Sequence, residues 1–110
     1  MGLFNFGSKE AIKVSANKIS TGLMQINQEL ERSNNQVTPN VRGLASVIRE
    51  EVKTLEKFLK PNGRTDWNLY NSIKVRTNNG EIDFCTFEAR VNSLSQMLED
   101  KGVSGFRIWT

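Results

Sequence analysis

The sequence predicts an α+β fold in which an antiparallel pair of helices precedes a ββαβ unit with a small three-stranded sheet. Three observations indicate this fold. Two long stretches repeat apolar residues every three or four positions, an Asn-Gly pair separates two short alternating stretches, and a third helical pattern follows. A chain of 110 residues fits one domain. We divide residues 1–110 into an apolar N-terminal flap (1–7), a helical hairpin (8–60) and the ββαβ unit (65–110).

The first predicted helix begins after Ser8, because serine is a preferred helix N-cap. A repeating apolar pattern then continues to the polar loop at residues 32–36. Its members are Ile12, Ala16, Ile19, Leu23, Ile26 and Leu30. Spacings of three and four residues place them on one side of a helix, so the pattern predicts one long buried face.

The second predicted helix covers residues 39–60, with Thr38 as its N-cap and Pro39 in its first turn. Pro61 and Gly63 end it. Its apolar pattern consists of Val41, Leu44, Ile48, Val52, Leu55 and Leu59, with Phe58 beside it. Two long amphipathic helices joined by a short loop are expected to pack antiparallel.

Asn79-Gly80 is a favoured pair for a two-residue hairpin turn of type I′. Counting outward from this turn gives a predicted register. It pairs Thr77 with Ile82, Arg76 with Asp83, Val75 with Phe84, and Lys74 with Cys85. This register places the apolar side chains on one face and an Arg–Asp pair on the other, as a half-buried sheet requires.

Two further helices and a last strand complete the prediction. Asp66 is expected to cap a short helical turn, and Thr86 a third long helix that ends at Gly102. The apolar stripe of the third long helix is Phe87, Val91, Leu94 and Leu98. The alternating residues 106–110 predict a strand parallel to that of Phe84 and beside that of Val75.

The composition excludes several kinds of chemistry. The chain has no histidine, which excludes Ser-His-Asp and Cys-His catalysis and histidine-containing zinc sites. Cys85 is the only cysteine, so no intramolecular disulfide can form, and a reducing cytoplasmic location is expected. No apolar run approaches the ~18 residues of a membrane span. We therefore predict no catalytic residue, metal or cofactor, and no enzymatic activity.

Five aromatic residues are candidate contacts with a protein partner. Phe4 and Phe6 lie in the flap, which we expect to cover the chain's own core near Ile12 or to contact a second copy, with membrane contact as the alternative. Trp67 and Tyr70 are residue types that dominate interfaces, although both could instead cover the core. The alternation at the C-terminus turns Trp109 away from the core, toward solvent or a partner. The five residues thus mark where a partner is expected to bind.

Four basic residues lie along one side of the second predicted helix. They are Arg42, Arg49, Lys53 and Lys60, which project within about 40° of one another. Such a stripe can contact phosphates, or it can be an ordinary solvent-exposed face. The first hypothesis is a small non-enzymatic protein–protein interaction module, of the adaptor, inhibitor or immunity type, that self-associates as a homodimer. The second is a nucleic-acid-binding module that uses this basic stripe.

Overall fold

The computed structural model describes residues 7–109, which form four helices and one two-stranded antiparallel sheet. The elements in chain order are α1 (Gly7–Arg32), α2 (Pro39–Leu59), α3 (Trp67–Ser72), β1 (Lys74–Thr77), β2 (Gly80–Asp83) and α4 (Phe84–Asp100). An extended segment at residues 103–109, which we call the strap, follows α4. The α+β class and the helical hairpin are confirmed.

The α1 and α2 helices pack antiparallel along their length. Lys18 Nζ lies 3.8 Å from Glu51 Oε2, while Asn40 of α2 donates a hydrogen bond to Glu29 of α1. The helices approach closely at Gly22, where an added Cβ would lie 2.8 Å from Ile48 Cγ1. The buried apolar side chains of the pair are Ile12, Ala16, Ile19, Ile26 and Leu30 of α1, and Val41, Ala45, Ile48, Val52, Leu55 and Leu59 of α2. The apolar patterns therefore predicted this interface, except that Leu23 and Leu44 are only half-buried and Ala45 was missed.

The helix starts follow local capping chemistry. Thr38 Oγ1 accepts a hydrogen bond from Val41 N at 3.2 Å, and Asp66 Oδ1 accepts one from Leu69 N at 3.1 Å, as predicted. The predicted Thr86 cap is wrong. The carboxylate of Asp83 accepts a 2.8 Å bond from the backbone N–H of Thr86, and α4 begins at Phe84. Ser8 lies inside α1 rather than at its cap.

The hairpin register is offset by two residues from the predicted one. The observed pairs are Thr77 with Gly80, Arg76 with Glu81, Val75 with Ile82, and Lys74 with Asp83. The turn is Asn78-Asn79, because Gly80 takes a φ of +106° and Thr77 Oγ1 donates a 2.7 Å bond to the Gly80 carbonyl. Phe84 and Cys85 belong to α4 instead of the strand. An even offset keeps every side chain on its face, so Val75 and Ile82 still lie together.

The predicted third strand is not found among residues 7–109, since residues 103–109 pair with neither strand. Side chains of α4 bind the backbone of the strap instead. Ser95 Oγ accepts from Phe106 N at 2.9 Å, and Asn92 Oδ1 accepts from Ile108 N at 2.8 Å. Phe106 and Ile108 are buried and Trp109 is 68% exposed, so the alternation of the residues was predicted correctly. A segment whose backbone groups bond to side chains shows the same alternation of buried and exposed residues as a β-strand.

The strap also joins α4 to α2. Arg49 Nη1 donates a 2.7 Å hydrogen bond to the Ser104 carbonyl, and Glu56 Oε2 accepts one of 2.7 Å from Trp109 N. Gly105 lies so close to α4 that an added Cβ would be 2.6 Å from Ser95 Oγ. The strap therefore links α4 to α2 through hydrogen bonds to both helices.

Candidate binding groove

An open groove of about 1200 Å³ lies between α1 and α4, beside the turn of the β-hairpin. Whereas α1 packs along the whole of α2, it meets α4 only sparsely. The turn is held to α1 by Asn78, whose Nδ2 lies 2.7 Å from Met24 Sδ. The volume exceeds the roughly 300–1,000 Å³ of a pocket for a small molecule. We call this feature the α1–α4 groove.

The inner surface of the α1–α4 groove is apolar. It is formed by Leu23 and Met24 of α1, Ile82 of β2, and Phe87, Leu94 and Met97 of α4. Each of these side chains is buried or half-buried. Both methionines of the described residues lie here, and flexible thioether side chains are typical of surfaces that adapt to a bound partner.

The rim of the groove is polar and exposed, and uncharged side chains such as Asn17, Asn27 and Ser93 make up most of it. The charged groups on the rim are Arg76, Arg90 and Glu31. No salt bridge within residues 7–109 involves either arginine. An apolar centre inside a polar rim is the usual anatomy of a protein-binding surface.

The predicted partner residues Trp67 and Tyr70 lie outside the groove lining. They begin an aromatic series that continues through Phe84 to Phe87, with ring centroids 5.0, 5.0 and 5.5 Å apart. Trp67 is 55% exposed at one end of the series, and Phe87 lines the groove at the other. The aromatic series thus leads from an exposed tryptophan into the core and to the groove.

Tyr70 joins α3 to α4. Its hydroxyl donates a 2.7 Å hydrogen bond to Glu88 Oε1. Burial of the ring, together with this bond to a carboxylate, raises the pKa of Tyr70 above its ordinary value. The half-buried ring and the bonded hydroxyl fit the alternative in which Tyr70 covers the core, and its contact with a partner stays a prediction.

The predicted basic stripe on α2 is mostly engaged with the protein itself. Arg49 binds the strap, Lys53 Nζ lies 3.2 Å from Glu50 Oε2, and Lys60 Nζ lies 3.8 Å from Glu56 Oε2. Arg42 is exposed and forms no salt bridge with another residue of the described range. The four side chains share one face of the helix, but three of them have neighbours that compete with a phosphate.

Of the remaining predicted contact residues, the structure describes only Trp109. Phe4 and Phe6 lie outside the described residues. Trp109 is exposed at the end of the strap, where its backbone N–H is bound by Glu56. The sequence reasoning missed the α1–α4 groove, although Leu23 and Ile82 were in the predicted apolar sets. The available signal was an excess of apolar helix surface over what a small sheet can cover.

Comparison of the chain with models of known protein families, with curated proteins and with solved structures finds no match. None of the helices within residues 7–109 combines the length and the apolar character that crossing a membrane requires. In the same range, no three acidic or cysteine side chains converge in a way that could hold a metal ion. The geometry of the groove is therefore the main basis for a functional hypothesis.

Proposed function

We propose that this protein is a small non-enzymatic interaction module that binds a protein partner in the α1–α4 groove. The observation that carries the proposal is the apolar surface between α1 and α4, which is enclosed by a polar rim of mostly uncharged side chains. An apolar centre surrounded by polar side chains is the arrangement expected of a protein-binding surface. The absence of histidine from the sequence further favours binding over catalysis.

An adaptor, an inhibitor or an immunity-type protein would each use such a groove, and a cytoplasmic location suits the single cysteine. A second copy of the chain is one candidate occupant. The alternative function is nucleic-acid binding through the basic stripe on α2. We rank it second because three of its four side chains have protein partners.

Two serine-to-tryptophan variants separate these functions. Ser93 is exposed on α4 and lines the groove, so Ser93→Trp should fill the groove and leave the core intact. Ser46 is exposed on α2, about 40° from Arg42 around the helix, so Ser46→Trp obstructs the basic stripe instead. Exposed substitutions of this kind usually change stability by under ~0.5 kcal/mol, which thermal melts of both variants would check.

The readout is affinity capture from the source cell with wild-type protein and both variants, with and without nuclease. We expect protein partners that survive nuclease treatment, persist with Ser46→Trp and disappear with Ser93→Trp. Partners that disappear with nuclease and with Ser46→Trp would support the nucleic-acid alternative. Identical recovery with both variants would contradict the groove as the binding site.

A further inference from the structure

We propose that the occupant of the α1–α4 groove is an amphipathic helix of another protein, with acidic residues beside its apolar stripe. This inference rests on the proposed function and specifies the chemistry of the partner. It is carried by the length of the groove, by the charges on its rim and by the absence of an exposed apolar stripe from the helices within residues 7–109.

The walls of the groove are long enough to accommodate a helix. Its α1 wall runs over residues 17–31 and its α4 wall over residues 86–97, which correspond to about 21 Å and 17 Å of helix. A helix with side chains is ~10–12 Å wide and packs at 8–10 Å from its neighbours. Three to four turns of a partner helix would therefore cover the apolar surface, with anchors spaced i, i+3, i+4 and i+7.

The rim favours acidic residues on that helix. Arg76 and Arg90 are exposed there without a salt bridge in the described residues, whereas Glu31 is the single carboxylate of the rim. Glu81 lies opposite Arg76 in the hairpin but does not form a salt bridge with it. Charge complementarity of this kind guides orientation and discriminates against partners of the wrong charge.

The described part of the chain does not itself present a helix that suits the groove of a second copy. The exposed large apolar side chains of residues 7–109 are Val14, Val47, Trp67 and Trp109. They lie on four different segments, so none of the described helices carries an exposed apolar stripe that could enter a neighbour's groove. The apolar helix that fills the groove is expected to come from another protein.

Two designed helical peptides provide the probe. Both carry leucines at i, i+3, i+4 and i+7 over 18 residues. One has glutamate beside the leucine stripe and the other has lysine at the same positions. We expect the glutamate peptide to bind the wild-type protein roughly tenfold more tightly than the lysine peptide at low salt. Both rim arginines attract the glutamates of the first peptide and repel the lysines of the second. In about 1 M salt, where the screening length is ~3 Å, the preference should nearly vanish.

Protein variants locate the interaction. Arg76→Glu/Arg90→Glu should reverse the preference so that the lysine peptide binds more tightly. The control variant Arg42→Glu/Lys53→Glu changes the net charge of the protein by the same amount, but on α2 and away from the groove. It should leave the preference for the glutamate peptide in place. Ser93→Trp should abolish the binding of both peptides. Sedimentation measures the oligomeric state of the free protein and of Ser93→Trp. A wild-type dimer that dissociates in Ser93→Trp would show that a second copy occupies the groove, and it would overturn the inference.

The remaining outcomes distinguish this inference from the proposed function. Equal affinity for both peptides, with loss of both in Ser93→Trp, would overturn the acidic partner and leave the groove as a binding site. A preference that the α2 control also reverses would reflect net charge alone and overturn the inference. Failure of both peptides to bind would overturn the helical partner, while the capture experiment would still decide the proposed function.

Discussion

The two sides of α1 differ in how completely other elements cover their apolar residues. Toward α2, the helix forms a closed interface in which Gly22 lets Ile48 approach to van der Waals contact. Toward α4, it leaves Leu23 and Met24 half-buried along an open groove. One amphipathic helix therefore supplies core surface on one side and a wall of the open groove on the other. Its apolar face is wider than its neighbour in the hairpin can cover.

The position of α4 explains why the groove stays open. The strap ties α4 to α2 through Arg49 and Glu56 on one helix and Asn92 and Ser95 on the other. Because these bonds fix α4 from the side away from the groove, α4 need not pack against α1. The following predictions test this comparison, beginning with the largest expected effect.

Truncating an apolar side chain should lower the free energy of unfolding much more in the interface between α1 and α2 than in the α1–α4 groove. Ile48 is 1% exposed, so Ile48→Ala should lower the free energy of unfolding by about 2–5 kcal/mol. Met97 is half-buried beside open space, and Met97→Ala should cost about 1 kcal/mol or less because solvent can fill the site. Urea unfolding of both variants measures the difference. Equal losses would show that the groove is part of the core.

The strap should depend on Asn92, whose side chain binds both the N–H and the carbonyl of Ile108. Asn92→Ala leaves these backbone groups without their partner and should cost about 1–3 kcal/mol. Gln96→Ala is a control one turn further along α4, where the amide bonds only the exposed Asp100. Hydrogen exchange at Ile108 should rise in the first variant alone. Unchanged protection of this amide in Asn92→Ala would contradict the role of the strap.

The observed turn makes Gly80 a sensitive position beside the groove. Its φ is +106°, so Gly80→Val forces a β-branched residue into an unfavourable conformation and should cost about 1–3 kcal/mol. Glu81→Val, at the next exposed position, should cost little. Thermal melts compare the two. Nearly equal melting temperatures would show that the turn lies elsewhere.

Ionisation of Tyr70 should have the smallest effect on stability, and only at high pH. Its pKa is raised in the folded state by burial and by the bond to Glu88, so the folded protein holds this proton more tightly than the unfolded chain. Stability from this group is fully present below about pH 10 and is lost as pH rises through the raised pKa. Tyr70 is the only tyrosine, so tyrosinate absorbance reports it directly. Ionisation at the ordinary pH in the folded protein would contradict this environment.

Local signals in the sequence predicted the helical hairpin, because capping residues and apolar spacing act within a few residues of one another. The predicted register of the β-hairpin was wrong for an equally local reason. Asn-Gly favours one turn, but the Thr77 hydroxyl and the Asp83 cap stabilise a turn one residue earlier and a shorter strand. An even offset preserves the faces, so the apolar pattern could not reveal the error.

The third strand was wrongly predicted, and the groove was not predicted, for a different reason. The strap is held by the side chains of Asn92 and Ser95 rather than by a neighbouring strand, and alternation is the same in both cases. The groove depends on the separation of α1 and α4, which are distant in sequence. A periodic pattern indicates which side of a helix is apolar, but it does not indicate how much of that side another element covers.

Photo-crosslinking in the source cell tests the central claim most directly. A photoreactive residue would replace Ala89 or Ser93, which are exposed on α4 and line the groove, or Ser46 and Thr54, which are exposed on α2. We predict that the two groove positions form a covalent adduct with the same partner protein and that the two α2 positions do not. Adducts from the α2 positions alone, or with equal yield from all four, would contradict the groove as the recognition surface.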